Sequence, residues 1–374
     1  MNLCIVMGPV KSGTTMFISL LDGHPSLAGF PLEVKFLTHW FERLARTPQS
    51  YQSLNKFFLE KSKIRLMNSG SKSDPDIMNS GRIDFAGFDF DLFKSGMLQN
   101  EINQDRRSLS GKRLFCQYFH DIHECLNQLM GCPNYRLIVS KEGNHGVKYS
   151  DSINRLCPGS KYIVIVRDPR DVYASFKQIA EKKRTGVVTP TFKELITPAR
   201  FILDNKGKNF TAFENCFNTN KGKRDSYLFL RYEDIVQDSK NELTRAANFL
   251  GIPFDMCLLQ PTNLKNVWGG NSSSLRSFSG LTDSRIGKWQ AELTAAEKRL
   301  IEYFLFGYLA TGNYKMASKR VSRTQIVIDI AHTEREAIRA SKWVPRKRLR
   351  EILKTLFYTI NATILCFTIK RRER

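Results

Sequence analysis

Acidic residues are scarce in this chain of 374 residues: 36 Asp and Glu stand against 58 Lys and Arg, a net charge of +22. That imbalance predicts anionic partners, whether nucleotide, acidic glycan, anionic lipid or nucleic acid. Paired cysteine spacings are missing too. The eight cysteines (Cys4, Cys116, Cys125, Cys132, Cys157, Cys216, Cys257 and Cys366) contain no C-x-x-C pair. Zinc is therefore not expected, and the cysteines read as reduced thiols in a cytoplasmic protein. In that compartment the sequons at Asn209, Asn271 and Asn361 carry no glycan. The chain runs straight into a strand, so no signal peptide or anchor is expected, and no internal repeat is visible. An uncharged stretch near the C-terminus, Thr355 to Ile369, has 15 residues. That is short of the ~20 needed to span a bilayer.

What is present begins with the first residues. Leu3 to Met7 is an apolar run that reads as a buried parallel strand. It breaks at Gly8, turns through Pro9 to Gly13, and resumes at helical spacing with Met16, Phe17, Leu20 and Leu21. Strand, glycine-bounded loop and helix aim backbone N–H groups at a phosphate-like anion. Gly8 and Gly13 have the spacing of a nucleotide phosphate loop, but Thr14 stands where a nucleoside-triphosphatase carries lysine. The lysine sits inside the loop, at Lys11. That arrangement, with the Thr14 and Thr15 hydroxyls, suits a 5′-phosphosulfate, whose transferable end carries less charge than a triphosphate and needs no metal bridge. The plainer reading is an ordinary turn between strand and helix.

Three further strands are expected: Tyr135 to Ser140, Lys161 to Arg167, and Ser226 to Arg231. Each is followed by a helical pattern, which argues a parallel sheet with crossovers. The strand ending in Arg167 leads into Asp168-Pro-Arg-Asp171. Asp168 as N-cap, Pro169 at the first helical position and Asp171 as a capping-box partner need no function to explain them. An arginine closing a buried strand at the sheet's carboxyl edge does, because ligands of α/β sheets bind there. Arg167 could clamp a second phosphate, with the Ser175 hydroxyl two helical turns on.

Taken together, Lys11-Ser-Gly-Thr-Thr15, His24-Pro25 and Ile165-Val-Arg-Asp-Pro-Arg-Asp-Val-Tyr-Ala-Ser175 resemble the sulfotransferases that use 3′-phosphoadenosine 5′-phosphosulfate. Arg231-Tyr-Glu-Asp234, Ala247-Asn-Phe-Leu-Gly251 and Ile286-Gly-Lys-Trp289 before Leu293 extend the agreement, in order, over most of residues 3 to 310. The likeness is closer to the carbohydrate and bacterial branch than to the phenol/steroid branch. The resemblance implies that Lys11, Ser12, Gly13, Thr14 and Thr15 bind the 5′-phosphosulfate. Lys11 would lie on the bridging oxygen, and Arg167 and Ser175 would hold the 3′-phosphate. A late loop from Asn271 to Arg276, and on to Arg285 and Lys288, would close over the nucleotide; Trp289 could equally be core. For the base, the carbohydrate branch implies Glu33 and the phenol/steroid branch His145, with Glu33 favoured. Either could instead be a helix-start charge or a loop histidine. Lys141, just past a strand edge, could face acceptor or cofactor.

The expected fold is therefore α/β, a P-loop-type three-layer arrangement with a central, mainly parallel sheet flanked by helices. Residues 1–315 would form the sulfotransferase domain, with an acceptor-binding insertion at roughly 40–130 that carries no readable motif. Residues 316–374 would form a basic helical tail, since from Lys315 onward 16 Lys/Arg face 5 Asp/Glu. That tail would either lie on an anionic membrane or dock on the body or a partner. The acceptor is expected to be carbohydrate-like or lipid-linked; no metal and no nucleic acid are expected. The rivals are a P-loop kinase or nucleotide hydrolase, and a non-enzymatic basic protein that binds membrane or nucleic acid.

Overall fold

Leu3–Met7, buried at every position, forms β1, the middle strand of a five-stranded parallel sheet. Its neighbours are β2 (Leu27–Gly29), β3 (Leu137–Gly143), β4 (Lys161–Val166) and β5 (Tyr227–Arg231), in the order β2-β3-β1-β4-β5. The computed structural model describes residues 2–30, 36–44, 50–60, 88–131, 134–143, 146–184, 196–268, 280–319, 321–340 and 345–368. The fold falls into two units, the first made of residues 1–8, 13–166 and 220–283, the second of 9–12, 167–219 and 284–374.

The sheet belongs to the first unit. Apart from Lys161, β4 is buried throughout, as continuous apolar strands covered on both faces must be. From β1 the chain runs to β2 on one side, while from β4 it runs to β5 on the other. Adjacent β1 and β4 thus form the switch point at whose carboxyl ends parallel sheets bind ligands. Helix α1 (Thr14–Leu21) packs on β1, β2 and β3, and the helix Ser239–Leu250 packs on β5.

The described residues between 36 and 131 add a helical layer to the same unit: α2 (Tyr51–Glu60), α3 (Phe90–Ile102) and α4 (Gly111–Leu129). Its interior is aromatic. The Phe36 ring lies 5.2 Å from both Phe115 and Phe119, 5.4 Å from Phe58 and 5.8 Å from Tyr118. Neutral hydrogen bonds thread it: the Tyr118 hydroxyl donates to Asn55 Oδ1 (2.9 Å) and Asn55 Nδ2 donates to the Met97 carbonyl (3.0 Å). Helix α5 (Gly146–Leu156) returns the chain from β3 towards β4.

The second unit is helical. It contains α6 (Pro169–Arg184), α7 (Pro198–Leu203), α8 (Ala295–Phe304), α9 (Phe306–Thr311), α10 (Arg323–Ala340) and α11 (Pro345–Thr368). The helical pattern expected over Thr294 to Leu309 is two helices that meet at Leu305, the first started by a capping box between Thr294 and Glu297. Helices α10 and α11 pack on α7 and α8, burying Ile326, Ile330, Ala362 and Cys366 with Ala199 and Leu300. Ion pairs join them: Arg299 to Asp329 (2.7 Å) and Arg200 to Glu334 (3.3 Å).

Candidate functional site

In the first unit the site is built on the carboxyl ends of β1 and β3 and the start of α1. The Gly8 N–H donates to the Gly143 carbonyl (3.1 Å), tying the exit of β1 to the end of β3. Gly13 stands at the N-cap of α1 with φ 97°, a conformation that disfavours any side chain. A Cβ there would also meet the Tyr232 ring at 2.5 Å, so the glycine is required twice over. The first turn of α1 carries no acidic side chain, and its opening N–H groups present the positive end of the helix. Lys141, on β3, donates from Nζ to Thr15 Oγ1 at 2.8 Å. The cation missing after Gly13 in the sequence is thus brought to α1 from another strand. Glu142, next to Lys141, is fully buried.

In the second unit the candidate residues stand on the loop residues 9–12 and on the chain from Arg167 onward. A turn closes from the Ser12 N–H to the Pro9 carbonyl (3.0 Å), with Lys11 in it at φ 65°. A non-glycine residue held there stores about 1–2 kcal/mol of strain. Ser12 is fully buried, and its Oγ makes no hydrogen bond among the described residues. Arg167, itself buried, donates from Nη1 to the Lys11 carbonyl (3.1 Å) and from Nη2 to the Arg285 carbonyl (3.3 Å). Its backbone N–H donates to the Tyr308 hydroxyl (3.3 Å). One guanidinium therefore holds the loop that carries Lys11 and the segment that carries Arg285.

Helix α6 starts beside it. Asp168 accepts the Arg170 N–H (2.9 Å), as an N-cap should. Arg170 is buried between carboxylates, 2.7 Å from Asp168 and 2.6 Å from Glu302, and its guanidinium lies 3.8 Å from the Trp289 ring centre. Asp171, expected as a capping-box partner, turns its carboxylate instead to the N–H groups of Gly287 (2.7 Å) and Trp289 (2.9 Å). Burial raises the pKa of Asp171, and those two N–H groups with Arg167 oppose the rise. Ser175 is buried on α6, and its Oγ donates to the Asp171 carbonyl at 2.9 Å. Arg285 pairs with Glu292 through both nitrogens (2.9 and 3.2 Å).

Lys11, Ser12, Arg167, Ser175 and Arg285 therefore fall in one unit, and Gly13, Thr14, Thr15 and Lys141 in the other. Glu33, His145 and Arg276 lie outside the described residues. Sequence reasoning assigned no part to Tyr232, Tyr308 or the Arg170–Glu302 pair. Tyr232 stands inside a segment already picked out, Arg231 to Asp234, which was its only signal; Tyr308 and Glu302 carry none.

The family described as "Sulfotransferase family" matches residues 4–256. Sulfotransferase 4A1 of Homo sapiens is 33% identical over 102 residues, 27% of this chain and 35% of that protein. The Mus musculus protein of the same name is 32% identical over 102 residues, with the same coverage. The aligned stretch thus spans about a third of the length of these curated relatives. The sulfotransferase domain from the Synechococcus PCC 7002 olefin synthase superposes with a TM-score of 0.52 at 18% identity, covering 84% of this chain and 95% of that one. At that identity the likeness is one of fold.

Proposed function

The chain belongs to the sulfotransferase family, and on that premise we propose that it moves a sulfuryl group from 3′-phosphoadenosine 5′-phosphosulfate to a hydroxyl or amine. The acceptor in this reading is carbohydrate-like or lipid-linked, and the compartment is the reducing cytoplasm. The observation that carries it is the pairing of Lys141 with Thr15 at an α1 start free of acidic side chains. Cationic and N–H donors converge there without the lysine that a triphosphate loop places after its second glycine. The buried Ser12 hydroxyl, without a partner among the described residues, supports an anion bound by this loop.

In the proposed reaction the acceptor oxygen or nitrogen attacks sulfur in line, and the bond from sulfur to the bridging oxygen breaks. Adenosine 3′,5′-bisphosphate leaves, and the acceptor's proton passes to a base. Lys11 meets the charge that develops on the bridging oxygen, and Ser12, Gly13, Thr14 and Thr15 hold the 5′ end. Arg167 and Ser175 take the 3′-phosphate, with Arg276 and Arg285 on the closing segment. Glu33 is the proposed base, with His145 as its rival. Positioning and charge stabilisation do most of the work, as in phosphoryl transfer.

The test is calorimetric titration with adenosine 3′,5′-bisphosphate in the presence of EDTA, together with turnover of labelled donor against a panel of acceptors. Tight binding without Mg²⁺ is expected; turnover that depends on ATP sinks the reading. Lys11→Ala should lower turnover by about 10²–10³, the usual cost of removing a donor to a developing anion. Glu33→Gln should abolish transfer and spare nucleotide binding. If His145→Ala does so instead, the base is His145.

A further inference from the structure

Helix α11 has two apolar faces, and the second unit uses only one of them. The inner face, with Ala362 and Cys366, is buried against α7, α8 and α10, and the Cys366 carbonyl accepts the Tyr303 hydroxyl at 3.1 Å. The outer face carries Leu353, Leu356, Phe357, Ile360, Ile364 and Phe367, which recur with each helical turn and are each more than half exposed. Twelve large apolar side chains are exposed among the described residues, and six of them are on this one helix. A soluble surface scatters such residues singly; a continuous stripe marks something that covers it.

The charges around the stripe say what kind of surface that is. Between residues 345 and 374 nine Lys and Arg stand against two Asp and Glu. Five of the nine precede or open the stripe, from Arg346 to Lys354, and four follow it, from Lys370 to Arg374. No acidic residue interrupts positions 352 to 372. No helix among the described residues is long and apolar enough to cross a membrane. A helix with Leu, Ile and Phe along one face and cations at both ends lies in the plane of an anionic bilayer, its apolar face in the acyl boundary and its cations among the headgroups.

We propose that the outer face of α11 is a docking surface for an anionic lipid membrane. The helix is seated on the second unit by its other face, so binding requires no rearrangement of the packing described above. The inference stands on this surface alone and holds whatever the chain transfers.

Full-length protein should be sedimented with vesicles of phosphatidylcholine and with vesicles of phosphatidylcholine and phosphatidylserine. Binding at least about tenfold tighter to the mixed vesicles is expected, weakening steadily as salt is raised. The triple variant Phe357→Glu, Ile360→Glu, Ile364→Glu should lose at least about tenfold in binding to the mixed vesicles. Because all three side chains are exposed, its melting temperature and its affinity for adenosine 3′,5′-bisphosphate should match the parent. Equal binding to both vesicle types, or none to either, overturns the proposal. So does a dimer of the parent chain that the triple variant disperses, since the stripe would then be covered by a second copy. Salt-insensitive binding by the parent overturns the electrostatic half on the unaltered protein, independent of how the variant folds.

Discussion

The helical layer of the first unit and the helices of the second solve the same problem, holding non-adjacent helices together, with different chemistry. Among the described residues between 36 and 131 the interior is rings: Phe36, Phe58, Phe115, Tyr118 and Phe119 pack on one another, and polar atoms among them are joined by Tyr118 to Asn55 and Tyr51 to Asp121 (2.8 Å). In the second unit the ties are ionic: Arg170 with Asp168 and Glu302, Arg200 with Glu334, Arg299 with Asp329. Ring packing is short-ranged and tolerant, and cutting the Tyr118–Asn55 pair leaves a neutral orphan, although the Asp121 carboxylate is buried beside these rings. A buried guanidinium between carboxylates is not tolerant, because removing it leaves charge without compensation. The ionic unit should therefore be the more brittle of the two to single substitutions and to acid.

The largest effect should come from Arg170→Ala. It leaves Asp168 and Glu302 buried without their cation and removes the guanidinium stacked on Trp289. A loss of about 3–5 kcal/mol is expected, read from the urea midpoint. Glu302 adds a pH signature. Burial acts to raise its carboxyl, but the N–H groups of Ala317 and Ser318, with Arg170, hold it below the ordinary carboxylate range. A carboxyl depressed in the folded state stabilises fully above its unfolded pKa, near 4.5. That stabilisation is lost as pH falls below it. Glu302→Gln should flatten the acid limb of the stability curve; an unchanged limb would remove Glu302 from the account.

A smaller effect is expected from Tyr118→Phe in the aromatic interior. The ring stays, and only Asn55 Oδ1 loses a donor. About 1–2 kcal/mol is expected in the same urea titration. A cost equal to that of Arg170→Ala would erase the distinction between the two units.

The contrast also governs what was legible in the sequence. β1 and β4 are uninterrupted apolar runs because both faces of a parallel sheet are covered, and they stand where expected. β2 has three residues and falls just after the Pro25 turn, too short to leave a pattern. β3 was expected to end at Ser140 and runs on to Gly143, its polar end being the edge where Lys141 meets Thr15. The stretch from 88 to 131 was unreadable because α4 buries Asp121, His123 and Asn127 among its apolar residues, which blurs the helical period. In the site, Lys11 and Gly13 stood out by local spacing. The contact of Tyr232 with Gly13, the tether of Tyr308 on Arg167 and the reach of Lys141 join residues more than a hundred positions apart. No window on the chain contains both partners.

The subtlest test falls in the first unit, at a tie between two thiols. Cys116 on α4 and Cys157 after α5 place their sulfurs 3.3 Å apart. The Cys157 thiol, as donor, favours the Cys116 thiolate and brings its pKa down to about 7, against the opposing pull of burial; Cys157 is driven up in turn. Cys116 should therefore be alkylated by iodoacetamide at a rate that rises through pH 7, ahead of every buried thiol, as followed by peptide mass spectrometry. Cys157→Ala removes the donor but leaves the burial, so the midpoint should move upward, towards or past that of an ordinary thiol. Below pH 7, where both sulfurs are protonated, stability should barely change, because a hydrogen bond between two thiols is weak. If the midpoint does not move, burial and nearby cations rather than the paired sulfur set the reactivity of Cys116, and the thiol pair is not what distinguishes this corner of the first unit.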